Sequence, residues 1–292
     1  MKNVLITGAT GNIGSEVVAA LQDSPNDINI IAAVRNVEKS KNHFTPSENL
    51  IFRIFDFDKP EGFAAAFAGI DILFLLRPPH ISDVEAYFVP LLKKAHNQGI
   101  DKVVFLSVQG AEKSGVIPHS KIEKAIKAEG LRYIFVRPGY FMQNLTTTLL
   151  PEIQKERSIT LPAGKGVFNW IDVKNIGEAT AVLIDRFEDY QNKAYEITGS
   201  ENRNFEEVTS LINAQCGTSI EYKSINPVSF YFKKRKSSLP SAFAIVMTIL
   251  HFLPRVQSAP RISDDYTRLT GKKPTRLEEF IEREKQQFKA SQ

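Results

Sequence analysis

Val4-Leu5-Ile6-Thr7-Gly8-Ala9-Thr10-Gly11-Asn12-Ile13-Gly14 is the stretch on which the fold of this chain turns. An apolar, β-branched run ends at Thr7, an amphipathic segment starts at Ile13, and the glycines between them follow the spacing GxxGxxG. Each glycine has a physical task. Gly8 permits a tight turn out of a strand, Gly11 lets backbone approach a ligand with no Cβ in the way, and Gly14 allows close helix packing. A glycine triplet alone is a weak signal, so its surroundings decide.

Outward from that loop, short apolar runs alternate with amphipathic ones. Val4 to Ile6, Ile28 to Val34, Leu50 to Phe55, Ile70 to Leu76, Lys102 to Leu106 and Tyr133 to Val136 read as strands. Ile13 to Leu21, Phe63 to Phe67, Val84 to His96 and His119 to Ala128 carry apolar residues at helical spacing, with Gly69, Gly99 and Gly130 as stops. This βαβ rhythm predicts an α/β fold, a doubly wound parallel Rossmann sheet with helices on both faces. After Pro138 the rhythm changes to a helical stretch, the segment LPAGKG from Leu161, a helix from Asp172 to Phe187 and a strand at Tyr195 to Thr198. Residues 1–138 are therefore expected to form the nucleotide-binding domain. Residues 139–292 are expected to form a smaller α/β cap on the carboxyl edge of the sheet, with some elements returning to the first core.

Composition narrows the function. The 292 residues carry 37 Lys plus Arg against 33 Asp plus Glu, a net charge of +4 that is too small to argue for nucleic acid. With one cysteine, Cys216, there is no internal disulfide or cysteine-rich zinc site, and the five scattered histidines predict no metal centre. The first residues enter a strand with no n-region or h-region before it, so a cytoplasmic protein is expected. The apolar run Leu239 to Pro254 is short of the roughly 20 residues of a membrane span and reads as a helix of the fold. The cluster Lys233 to Lys236 before it reads as a solvated helix face, with contact to anionic lipid as the alternative, and no membrane partner is expected.

In a βα setting the amides at the start of the first helix, backed by its dipole, hold the pyrophosphate of a dinucleotide. The candidate contacts are Thr7, Gly8, Thr10, Gly11, Asn12, Ile13 and Gly14. At the end of the second strand, where an acid would bind ribose hydroxyls, the chain reads Ala32-Ala33-Val34-Arg35-Asn36. A guanidinium there suits a 2′-phosphate, with Lys39 as a second cation, and this favours NADP(H) over NAD(H). The alternative is a surface arginine at a loop. Asp56 reads either as an acceptor for the adenine amino group or as a helix cap. Phe57, Leu76, Arg77 and Pro78 complete the strand-tip candidates.

The chain resembles the NmrA-like family of atypical short-chain dehydrogenase/reductases. The likeness rests on TGATGNIG (residues 7–14), VRN (34–36), FLSVQGAE (105–112), PHSKIEKAIKAEGLRYIFVRPGYFMQNL (118–145) and TGKKPTRLEEFIERE (270–284), and covers essentially the whole chain. It implies the Rossmann fold and an NADP cofactor. It leaves the reaction open among quinone reductases, azo- or dye-reducing enzymes and redox sensors that turn nothing over. Ordinary short-chain reductases use a Tyr-x-x-x-Lys pair, and no tyrosine here has a lysine four positions on. By the resemblance His119 stands in the lysine position and Gly115 in the tyrosine position. His119 then bonds the ribose or relays a proton, or is merely a residue of the helix start. Ser107 matches the serine that faces the nicotinamide, or is a strand-terminal hydroxyl.

Without a positioned acid, reduction of a simple ketone to an alkoxide is disfavoured, whereas a quinone or other conjugated acceptor gives a stabilised anion that solvent protonates. The expected activity is NADPH-dependent reduction of such a small molecule. A sensor acting on a protein partner without turnover is the alternative, and a nucleotide-sugar epimerase would need the absent pair. Tyr140 and Phe141 are expected near the cofactor. Phe141, Met142, Asn144, Phe168, Trp170 and His80 are the candidates for the acceptor, against the alternative that the aromatics fill an interface.

Overall fold

A computed structural model describes residues 2–237 and 239–289. Six strands follow the order of the chain: β1 (Lys2–Ile6), β2 (Ile28–Val34), β3 (Leu50–Ile54), β4 (Ile72–Leu76), β5 (Lys102–Leu106) and β6 (Arg132–Pro138). With a further strand, Lys193–Ile197, they make one seven-stranded sheet in the order Lys193–Ile197, β6, β5, β4, β1, β2, β3. Every neighbouring pair is parallel. The winding direction reverses between β1 and β4, and this defines the doubly wound Rossmann fold and its ligand crevice at the carboxyl ends of those two strands.

The local chemistry explains the elements. β4 has no polar side chain, as a strand covered on both faces requires, and Ile72, Leu73, Phe74 and Leu75 are buried. The helix Val84–Asn97 starts where Asp83 accepts a hydrogen bond from the Ala86 amide. The first helix, α1 (Asn12–Gln22), buries Ile13, Val17, Val18 and Leu21 along one stripe.

The chain forms two compact units. The first comprises residues 1–138, 173–197 and 265–272, the second 139–172, 198–264 and 273–292. The helix and strand expected from Asp172 to Phe187 and from Tyr195 to Thr198 exist as Val173–Asp185 and Lys193–Ile197, and both belong to the first unit. Each unit has its own core, built around Leu73, Phe88 and Phe105 in the first and around Trp170, Phe205 and Phe280 in the second. The second unit also holds short strands absent from the sequence reading. Asn202–Arg203, Phe168–Ile171 and Tyr140–Phe141 form one small sheet, and Glu221–Ser224 pairs with Ser158–Leu161 in another.

Gly177 shows why the helix Val173–Asp185 belongs to the first unit. A Cβ built on it would stand 2.7 Å from the carbonyl carbon and oxygen of Glu16, so this helix meets α1 backbone to backbone. Replacing Gly177 with valine forces the two helices apart. Overpacking of that kind costs about 1–3 kcal/mol, and a urea unfolding midpoint clearly below that of the parent protein is the expected outcome.

Candidate functional site

The site is built from the end of β1. Thr7 is fully buried, its hydroxyl donating to the Phe74 carbonyl (3.0 Å) and accepting from the Leu76 amide (2.8 Å). It staples the tips of β1 and β4 together at the point where the sheet reverses. With both bonds made inside the protein, the Thr7 side chain shapes the loop.

Gly8 then turns the chain with φ at +63°, a left-handed conformation that L side chains rarely adopt. The Gly11 amide donates back to the Gly8 carbonyl (2.9 Å). A Cβ on residue 14 would lie 2.1 Å from that same oxygen, inside the contact distance of any real pair of atoms. Thr10, Gly11 and Asn12 are exposed, whereas Ile13 buries its side chain and offers only its backbone. No side chain caps α1 and no acidic residue occupies its first turn. The helices starting at Val37, Val84, Phe205 and Pro227 are instead capped by Asn36, Asp83, Asn204 and Asn226. The amides at the start of α1 therefore have no side-chain cap beside a glycine-rich turn, an arrangement suited to a phosphate group.

Arg35 and Lys39 are exposed, and Arg35 has no hydrogen-bond or ion-pair partner among the described residues. Asp56 accepts from the Asp58 amide (3.1 Å) and closes a turn. The single helical turn Pro60–Gly62 starts from Lys59 with no side-chain cap, so Asp56 does not cap it. Phe57 packs edge-on to Phe55 and against Phe88.

Arg77 is occupied by its own loop. One guanidinium nitrogen donates to the carbonyls of Pro78 (3.0 Å), Pro79 (3.2 Å) and Ile81 (2.6 Å), and Nε points at His119 Nε2 at 3.5 Å. Burial first, and the Arg77 charge second, push His119 from 6.5 down to about 3. His119 is thus a neutral imidazole near neutral pH and presents an acceptor to Arg77. Gly115, where a phenol would stand in ordinary short-chain reductases, is an exposed residue of the loop before it.

Ser107, buried at the tip of β5, donates its hydroxyl to Glu123 at 2.6 Å. Arg137 grips the same carboxylate with two bonds, Nε to Oε1 (3.0 Å) and Nη2 to Oε2 (2.6 Å), and reaches Glu112 at 2.8 Å. The Ser107 proton is held within the protein, which leaves its oxygen as an acceptor. Glu123 and Arg137 were missed in the sequence. The signal was a carboxylate on the apolar face of a helix, beside Ser120, Ile122 and Ile126, with an arginine inside the strand IFVRP.

In the second unit the expected aromatic wall is a core. Trp170 is 0 % and Phe168 3 % exposed, and both pack with Tyr140 and Phe205 at ring distances of 4.9 to 5.2 Å. Trp170 donates its indole N–H to the Arg203 carbonyl (3.0 Å). Met142 is buried as well. These three side chains fill the interior because each can be covered there with its polar atoms satisfied, which corrects their reading as ligand contacts. The Tyr140 hydroxyl meets His251 Nε2 at 2.9 Å, and burial raises its pKa. Phe141 and Asn144 are half-buried, and His80, in the first unit, is exposed. Cys216 sits in the second core, where burial raises its thiol.

The NmrA-like family profile matches residues 1–281. Prestalk A differentiation protein A of Dictyostelium discoideum is 28% identical over 279 residues, covering 95% of this chain and 91% of that protein. NAD(P)H azoreductase of Xenophilus azovorans is 26% identical over 281 residues, covering 95% and 96%. The crystal structure of an NADPH-dependent quinone oxidoreductase from Escherichia coli, complexed with NADPH, superposes with a TM-score of 0.81 at 21% identity, covering 97% of this chain and 99% of that one. At that identity the superposition establishes the shared fold.

His251 generates a pH test. Burial holds it at about 4 against an ordinary 6.5, so between those values the unfolded chain binds a proton that the native state refuses. Stability is therefore complete above pH 6.5 and falls as pH drops toward 4, by up to about 3 kcal/mol from this residue. Urea midpoints measured between neutral pH and 4.5 should fall less steeply in His251→Gln.

Proposed function

We propose, for a chain that belongs to the NmrA-like family, an NADPH-dependent reductase that delivers hydride to a quinone or a similarly conjugated acceptor. The observation that carries this reading is the loop from Gly8 to Gly14, where a Cβ would collide with backbone and where uncapped helix amides face outward. A cofactor pyrophosphate fits that cradle. Gly8, Gly11 and the amides of Asn12, Ile13 and Gly14 would hold it, with Thr7 fixing the loop from below. Arg35 would take the 2′-phosphate, because it is exposed at the tip of β2 and has no partner among the described residues. Bound NADPH supplies a hydride.

The choice of acceptor rests on what the site lacks. His119 is neutral, Arg77 is tied to three carbonyls, and the Ser107 proton is held by Glu123. None of them is a ready general acid, so an acceptor whose reduced anion is stable and takes its proton from water suits the site. The names of the azoreductase and of the quinone oxidoreductase also point to conjugated acceptors. The role left to the chain is to bind the cofactor, orient it and keep competing water out.

Two expectations test this. First, calorimetry should show tighter binding of NADPH than of NADH, and Arg35→Ala should weaken NADPH by about tenfold to hundredfold, the roughly 1.5 to 3 kcal/mol of a charge-assisted bond. NADH should barely change. Equal affinity of the parent protein for both cofactors would make Arg35 a plain surface residue.

Second, NADPH oxidation should be detectable with quinones and azo dyes and negligible with simple ketones. With His119 neutral down to about pH 3, quinone turnover should be nearly flat across mildly acidic and mildly basic pH. His119→Ala should lower it about tenfold by loosening cofactor position, well short of the roughly 10² to 10⁴ lost with a general acid. A fall centred near 6.5 that disappears in the variant would make His119 the acid. Tight NADPH binding with no turnover on any acceptor would favour a redox sensor instead.

A further inference from the structure

The apolar run that the sequence reading assigned to the fold forms the helix Ser241–Phe252, and its outer face is the anomaly of this molecule. Ala244, Met247 and His251 point inward and are buried. On the other side Ile245, Val246, Ile249 and Leu250 are 47%, 42%, 49% and 48% exposed, and Leu253 just beyond is 38% exposed. Positions i, i+1, i+4, i+5 and i+8 lie on one face of a helix, so these aliphatics form a continuous stripe. A surface helix ordinarily puts charge on that face, and this one has no charged residue from Ser241 to Phe252. The neighbouring helix, Pro227–Lys236, packs against it and exposes Val228 and Phe232 in turn.

The charges around the stripe say what covers it. From Pro227 to Ile262 the sequence contains six Lys or Arg and no Asp or Glu. Lys233 is paired with Glu152 and Glu156. Arg235 and Lys236 at the end of one helix, and Arg255 just past the end of the other, are exposed. Apolar stripe and flanking cations together are the pattern of a helix that lies in the plane of an anionic bilayer surface. A helix of 12 residues is about 18 Å long and cannot cross a bilayer, and no helix among the described residues is long and apolar enough to do so. A second copy fits less well. An isologous dimer through this face would set Arg235, Lys236 and Arg255 against the same cations of the partner.

We propose that the helix Ser241–Phe252 and its flanking cations are a docking surface for anionic lipid membranes, a peripheral contact that places Ile245, Val246, Ile249 and Leu250 among the headgroups and upper acyl chains.

The test is flotation of the full-length protein with vesicles of phosphatidylcholine alone and of phosphatidylcholine mixed equally with phosphatidylglycerol, with oligomeric state followed by light scattering. Binding to the anionic vesicles should be at least tenfold tighter, given about fivefold for each exposed cation near the surface. It should weaken when ionic strength is raised from about 0.1 M to about 1 M, where the screening length drops from about 10 Å to about 3 Å. Ile249→Glu with Leu250→Glu should abolish binding. Arg235→Ser with Lys236→Ser should lower the preference for the anionic vesicles by at least tenfold, leaving about the fivefold of Arg255, and keeps the proposal testable should the first pair misfold. Absence of vesicle binding, equal binding to both compositions, or binding retained in both variants would overturn the proposal. So would a dimer that the glutamates dissociate in protein that ignores vesicles. Capture of an acidic protein that competes with the vesicles and binds more tightly would overturn it as well.

Discussion

The Gly8 carbonyl oxygen occupies the place where a side chain on residue 14 would have to begin, 2.1 Å from the position of its Cβ. That one steric constraint fixes how closely α1 follows β1, and so where its free amides face. Its other supports come from different parts of the chain. Thr7 locks the strand end to β4 from beneath, and Gly177 lets a later helix press on α1 at Glu16. The loop needs no strong interaction of its own because packing over-determines its shape, as an anion site made of backbone requires. A cradle assembled this way holds its geometry before any ligand arrives, and little ordering cost then opposes binding.

Charge in this protein is used mostly as internal fastening. Glu123 is shared by Ser107 and Arg137, the Tyr266 hydroxyl donates to Glu178, which also accepts from Lys272 at 2.7 Å, and the fully buried Asp172 pairs with Arg283 at 2.7 Å. A buried carboxylate with all its acceptor sites engaged is tolerated, whereas one that loses its partner is not. The same economy explains the silence of the site as an acid. The Ser107 proton is committed to Glu123, Arg77 is tied to three carbonyls of its own loop, and His119 is kept neutral by burial and by the arginine beside it.

Much of this was legible in the sequence, for identifiable reasons. Strands buried on both faces, such as β4 and β5, have no polar alternation to disguise them, and helices closed by Gly69, Gly99 and Gly130 carry their stop signals, each with φ near +70 to +86°. The glycine loop was readable because its constraint is local, set within seven residues of chain. Long-range facts were not readable. Trp170 and Phe168 look alike in sequence whether they line a cavity or fill a core, and only Phe205, some thirty-five residues later, decides it. Gly177 shows as a lone glycine in a helix until Glu16 is found against it. The terminal stretch that carries the family likeness works through distant partners: Lys272 reaches Glu178, Glu278 reaches Arg203 and Arg283 reaches Asp172.

The strand Lys193–Ile197 joins a sheet whose other strands end at Pro138, and the segment Asp265–Lys272 returns to the same unit. During synthesis the emerging chain therefore carries six strands of that sheet with β6 as a raw edge, its amides and carbonyls unpaired, until the strand made more than fifty residues later adds beside it. A ribosome stalled inside the second unit, or a truncation at Pro138, presents that open edge, which is a template for intermolecular pairing. The interleaved order of the chain leaves that edge exposed until the strand Lys193–Ile197 has been made.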